Sequence, residues 1–163
     1  MAKTIDREIK QTKPFRSLQE QAVINLMRTT RAVEESWIQY LKRHEGISQS
    51  QYNILRILRG ARPKPIRISD IADRMITRDP DVTRLIDRLI QQGLVRRERD
   101  TEDRRVVLAE ITGQGLAMLA RLDGPAARYT DGAMAGLSQQ QLRTLDTLLN
   151  EVRAGIEPLK SER

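Results

Sequence analysis

Residues 79–95 read DPDVTRLIDRLIQQGLV, and this stretch decides the fold. Asp79 followed by Pro80 is an N-cap residue followed by the residue favoured at the first helical position. Val82, Leu85, Ile86, Leu89 and Ile90 then repeat at i, i+3, i+4, i+7 and i+8, which is one apolar face of an α-helix. Gly93 supplies the left-handed terminator, so the predicted helix runs from Asp79 to Gln92. At about 100° per residue the opposite face carries Pro80, Arg84, Asp87, Arg88 and Gln91, flanked by Asp81 and Thr83. One face is core and the other is polar and basic.

Downstream, Leu94–Glu98 and Val106–Ile111 are β-compatible runs separated by the charged stretch Arg99 to Arg105, the pattern of a hairpin with a long polar tip. Upstream, a short helix with Ile71, Ala72 and Met75 inward begins at a Ser69 cap and breaks by Thr77. Pro63 and Pro65 forbid helix before it and leave Ile66, Arg67 and Ile68 for a very short strand. Two short helices, the second basic on its outer face, followed by a hairpin give the layout of a winged helix-turn-helix. A helix of this width fits the major groove of DNA, and the hairpin lies along the adjoining minor groove. The bland alternative is a solvated charged face; against it stands the order in which helix, basic face and Arg-rich tip occur.

The rest of the chain reads as flanking helices. Leu18, Ala22, Leu26, Val33, Trp37 and Leu41 follow a helical period up to Gly46. Ser48 caps a shorter helix with Tyr52, Leu55 and Leu58 inward, closed by Gly60. Thr112 caps a helix through Leu116, Leu119 and Leu122, with a break or kink at Gly124-Pro125. Ser138 and Gln141 form a capping box, with Leu137 and Leu142 as its hydrophobic staple. Leu142, Leu145, Leu149, Val152 and Ile156 then make a narrow seam suited to another helix.

Composition narrows the function. The chain has 163 residues, enough for one compact domain or two small lobes, and a formal charge of +7, which favours a polyanionic partner. It has no cysteine and one histidine, His44, so thiol chemistry and thiolate metal sites are excluded and any catalytic triad or hydrolase base would have to be His44. Residues 1–17 form a basic arm without helical periodicity, with Lys3, Arg7, Lys10, Lys13 and Arg16. It contains no apolar run of signal-peptide length, and no stretch is apolar enough to span a membrane, so a cytoplasmic protein is expected. Gly113-Gln114-Gly115 begins like a dinucleotide loop, but Met118 stands at the third glycine position. Glu34 and Glu35, being adjacent, point in different directions on a helix, and the carboxylates of Asp100, Glu102 and Asp103 sit among neutralising arginines. No catalytic residue, cofactor or metal site is expected.

From about Leu18 to Ile156 the sequence resembles the MarR family of bacterial transcription regulators. The residues that carry the resemblance are Ile71-Ala72, the run Val82 to Leu89, Gly93-Leu94-Val95, Asp103-Arg104-Arg105, and Ile111-Thr112 with Gly115. Ile111 stands where such proteins often have leucine. The resemblance implies a mainly α protein with a small β-hairpin wing. Residues 47–112 would form the winged helix-turn-helix, and residues 18–46 and 113–163 the interlocking N- and C-terminal dimerisation helices. It further implies a homodimer that reads a palindromic operator on double-stranded DNA, with a small aromatic or anionic effector in the cleft beside the dimerisation helices.

Residue roles follow from chemistry. Arg84 and Arg88 suit phosphates or guanine edges, Thr83 a base edge or phosphate, and Arg78 a phosphate just before the reader helix. Arg104, nearest the tip, suits a narrow minor groove; Arg105 either joins it or braces the wing through Asp103. Trp37, Tyr40 and His44 share one face of the first helix and are candidates for an effector cleft, although core or dimer packing is the commoner fate of such a stripe. The expected function is a ligand-relieved repressor. The alternatives are a constitutive regulator or activator without effector, and a winged-helix module that docks a protein.

Overall fold

The computed structural model describes residues 4–77, 81–101 and 103–161, with side chains to residue 158. The order of elements is α1 (Ile5–Glu8), α2 (Leu18–His44), α3 (Gln49–Ala61), β1 (Ile66–Arg67), α4 (Ile68–Arg74), α5 (Val82–Gln91), β2 (Val95–Arg99), β3 (Val107–Ile111), α6 (Gly113–Met134) and α7 (Gln139–Ser161). The protein is mainly helical, with one antiparallel sheet of order β1-β3-β2. Two compact units divide it, Met1–Arg121 and Leu122–Arg163. Among the described residues no helix is long and apolar enough to cross a membrane.

The first unit is organised by the stripe on α5. Val82, Ile86 and Leu89 are buried, and Leu85 and Ile90 half-buried, as the spacing predicts. They share the core with Ile54, Leu55 and Leu58 of α3, Ile71 of α4, and Leu94, Ala109 and Ile111 at the sheet. Burying one such side chain is worth about 1.5–3 kcal/mol. Val95 pairs with Ile111 and Arg99 with Val107, so the predicted hairpin is present, with β2 one residue later at both ends and β3 starting one residue later and ending at Ile111 as read. Ile66 and Arg67 add a third strand to the free edge of β3, opposite Ala109 and Leu108.

Several boundaries differ from expectation. The α5 helix is described from Val82 with Asp81 in the N-cap position; the predicted Asp79 cap lies with Arg78 and Pro80 outside the described residues. The helix starts where the first residue of the buried stripe docks. Ser69 does not cap α4: pairing with Leu108 keeps Arg67 extended up to the helix, so Arg67 takes the cap position and Ser69 falls inside the first turn, its hydroxyl turned to Asp70 Oδ1 at 3.4 Å. The α3 helix passes Gly60 and ends at Ala61. Of the break or kink expected at Gly124-Pro125 the break is absent: α6 continues to Met134 with Pro125 inside it. The basic arm is not featureless either. Ile5 in the helical turn α1 is buried, and Glu8 lies 3.8 Å from Arg28 on α2.

Three caps are formed as read. Ser48 Oγ accepts the Gln51 amide N–H at 3.2 Å and Gln51 Oε1 accepts that of Ser48 at 2.9 Å, a complete capping box. In the second unit Ser138 and Gln141 repeat it on α7 at 3.3 and 2.8 Å. On α6, Thr112 Oγ1 accepts the Gly115 N–H at 3.1 Å and donates to Gly93 O at 2.7 Å.

One buried polar side chain holds the helix-turn-helix. Asn53 of α3 is 8% exposed, and its Oδ1 accepts the N–H of Ile76, in the segment between α4 and α5, at 2.8 Å. Asn53→Ala leaves that N–H without its partner, and a loss of about 1–3 kcal/mol of stability is expected in chemical denaturation. An unchanged midpoint would show that the amide is satisfied elsewhere.

Candidate nucleic-acid interface

The outer face of α5 presents Thr83, Arg84 and Arg88 to solvent. Arg84 is 71% exposed and lies 3.4 Å from the Asp81 carboxylate, a surface pair of the kind that contributes only about 0–1 kcal/mol and is readily exchanged for a phosphate. The fourth polar residue of this face is occupied differently. Asp87 Oδ1 accepts from Arg97 of β2 at 2.7 Å, an ion pair that ties the base of the wing to the helix. On the other side of the hairpin the Arg96 guanidinium donates to Glu110 Oε2 at 2.6 and 3.0 Å, across a register pair. That hydrogen bond and the Glu110 charge raise the Arg96 pKa above its ordinary value.

The wing tip closes on its own backbone. The Asp100 N–H donates to Val106 O at 3.0 Å, and the Val106 N–H to Asp103 O at 2.9 Å. Asp103 Oδ1 accepts the backbone N–H of Arg105 at 2.9 Å. The bracing expected of an Arg105–Asp103 pair is therefore supplied by the Arg105 amide. Arg99, Arg104 and Arg105 are exposed.

Thr83, Arg84, Arg88, Arg104 and Arg105 thus come from one helix and the loop of the hairpin it is tied to, while Arg78 lies outside the described residues. Sequence reading missed three contributors. Asn53 and Arg97 act through partners 23 and 10 residues away, which no local pattern marks. Arg67, at the end of β1, lines a groove with Ser69, Thr83 and Arg105; only its place in a predicted short strand pointed to it.

The aromatic stripe on α2 is a continuous stack. Trp37 lies parallel to Tyr40 at 5.3 Å between centroids, and Tyr40 lies 4.5 Å from His44. Tyr52 of α3 meets Trp37 edge-on at 5.5 Å. Trp37 is 7% exposed, Tyr40 half-buried and His44 exposed, so the stack runs from core to surface.

The MarR family model matches residues 47–107, which run from the start of α3 to the start of β3. The MarR transcription factor of Planctomyces limnophilus is 37% identical and superposes with a TM-score of 0.61, over 84% of this chain and 98% of that one. The chain belongs to the MarR family. The fold recurs in the MarR-family regulator Sco3205 of Streptomyces coelicolor, solved in complex with DNA, at 24% identity and a TM-score of 0.78 over 91% of this chain and 94% of that one. It recurs again in the organohalide-sensing regulator RdhR-CbdbA1625, solved with 2,4-dichlorophenol, at 18% identity and a TM-score of 0.78 over 91% and 89%. This MarR-family chain is a DNA-binding transcription regulator, not an enzyme.

Proposed function

We propose that the protein is a cytoplasmic, ligand-responsive repressor that acts as a homodimer on a pseudo-palindromic operator. The observation that carries this reading is the joint display of Thr83, Arg84 and Arg88 on α5 and of Arg104 and Arg105 on a wing anchored to it through Arg97 and Asp87. In this reading the helix enters the major groove, where Arg84 and Arg88 meet phosphates or guanine edges, and the wing arginines follow the adjoining minor groove. Residues 18–46 and 113–163 serve dimerisation, residues 47–112 read DNA, and the basic arm 1–17 precedes them. Leu18, Val23 and Met27 on α2 and Leu148, Val152 and Ile156 on α7 are exposed, which supports their burial by a second copy.

The effector reading assigns Trp37, Tyr40 and His44 to a small aromatic or anionic ligand. A stack that begins in the core and ends at the surface offers such a ligand both a ring face and an ionisable edge. Binding there would favour a spacing of the two reader helices that no longer matches major grooves about 34 Å apart.

The test is a mobility shift on the DNA upstream of the protein's own gene, with nonspecific competitor and at two salt concentrations. A competitor-resistant complex is expected, weakening roughly 10³-fold or more between about 50 and 200 mM salt. Phenolic acids titrated into that complex are expected to release the DNA. No shift even at low salt would overturn the operator reading and favour a protein-docking role, and a complex indifferent to every phenol would favour a constitutive regulator.

A further inference from the structure

The DNA strand that separates the major groove from the minor groove has to pass between the helix that reads one and the wing that follows the other. In this molecule that place is a groove of about 400 Å³, lined by Arg67, Ser69, Thr83 and Arg105 with Ile68, Val106 and Val107. Five segments contribute to it: the end of β1, the first turn of α4, the first turn of α5, the wing loop and the start of β3.

Its chemistry is one-sided. Among the described residues two guanidinium-bearing residues and two hydroxyls line it, and no carboxylate does. The adjacent Asp70 accepts the Ser69 hydroxyl at 3.4 Å, and Asp103 is engaged by the Arg105 amide. Neither Arg67 nor Arg105 has an ion-pair partner among the described residues. Half-buried Ile68, Val106 and Val107 form its apolar side, beside which a guanidinium–phosphate contact would be a charge-assisted hydrogen bond. A neighbouring groove of similar size, lined by Arg97, Glu98, Arg99 and Val107, carries an acid that repels an anion.

We infer that the Arg67–Ser69–Thr83–Arg105 groove seats one backbone phosphodiester in each half-site, with Arg67 as a phosphate ligand contributed by β1. This rests on the reading of α5 and the wing as the DNA-contacting elements. A phosphodiester fits better than a base because base edges lie within the two grooves, on either side of this position. The contact fixes register and carries no sequence information of its own.

The test compares Arg67→Gln, Arg67→Lys and Arg84→Ala on two duplexes, an operator selected from a random-sequence pool and an unrelated duplex of equal length. Arg67→Gln is expected to weaken binding to both by about tenfold and to reduce the slope of log affinity against log salt by about 1, leaving their ratio unchanged. Arg67→Lys keeps the charge and restores the slope. Replacing single phosphates of the operator by neutral methylphosphonate is expected to reveal one position per half-site that costs the wild type affinity but leaves Arg67→Gln unaffected. Wild-type affinity and slope in Arg67→Gln, with Arg84→Ala weakened, would overturn the groove and leave the reader helix standing. Wild-type behaviour in both variants would overturn the reader helix as well. A loss confined to the operator would make Arg67 a base contact and also overturn the proposal.

Discussion

Gly115→Ala lowers the stability of the winged unit by about 3 kcal/mol, the upper end of what overpacking a rigid site costs. A Cβ at Gly115 would stand 2.4 Å from the Leu94 carbonyl oxygen and 2.7 Å from Ile111 Cγ1. Neither neighbour has room to retreat. The Leu94 oxygen already accepts the Thr112 N–H at 3.0 Å, and Leu94 and Ile111 are 1% and 4% exposed. The Gly115 N–H is also the donor that Thr112 Oγ1 accepts, so displacing this turn strains the cap as well as the packing. With about 2–4 °C per kcal/mol for a chain of this size, the melting point followed by circular dichroism should fall roughly 6–12 °C. Gly113→Ala is the internal control. It lies in the same turn with nothing within 4 Å of its would-be Cβ, and is expected within about 0.5 kcal/mol of wild type. Equal melting of the two variants would refute the close approach of strand and helix.

Gly115 also shows how far local pattern reaches. In the sequence, Gly113-Gln114-Gly115 looks like the start of a dinucleotide loop; in the fold its second glycine is where α6 meets the open end of the β2–β3 hairpin closely enough to exclude a side chain. The α5 helix was legible because a 3.6-residue period with a polar opposite face has few other solutions, and the caps at Ser48, Thr112 and Ser138 because they use neighbouring residues. At Gly124-Pro125 local chemistry allows either a break or a kink, and the helix continues through Pro125. The strand position of Arg67 exists only because β3 has a free edge to pair with.

The interface divides along the same line. Arg84, Arg88 and the wing arginines are recognised from charge at helical or loop positions. Arg97 is not, because an arginine in a strand becomes a positioning residue only when the fold brings Asp87 to 2.7 Å. As an exposed pair it contributes little stability; under the proposed reading its role is to hold β2 of the wing against α5.

The second large effect falls on binding rather than folding. Arg84→Ala is expected to weaken operator binding by about 1–3 kcal/mol, roughly five- to 150-fold, the range for losing one bidentate contact to a guanine edge. Its stability should stay within about 0.5 kcal/mol of wild type, because the side chain is 71% exposed and its pair with Asp81 is a 3.4 Å surface contact. Affinity titrations on the operator and on an unrelated duplex separate the two roles open to the guanidinium. If it reads a base, the loss falls on the operator alone and the salt slope is unchanged. If it holds a phosphate, both duplexes weaken together and the slope drops by about 1. Arg88 lies one turn further along the same face, so Arg84→Ala/Arg88→Ala should lose the sum of the single effects if the two arginines touch different groups on the DNA, and less than the sum if they share one. Wild-type affinity in the double variant would remove α5 from the interface altogether, leaving the wing as the basic surface still to be tested.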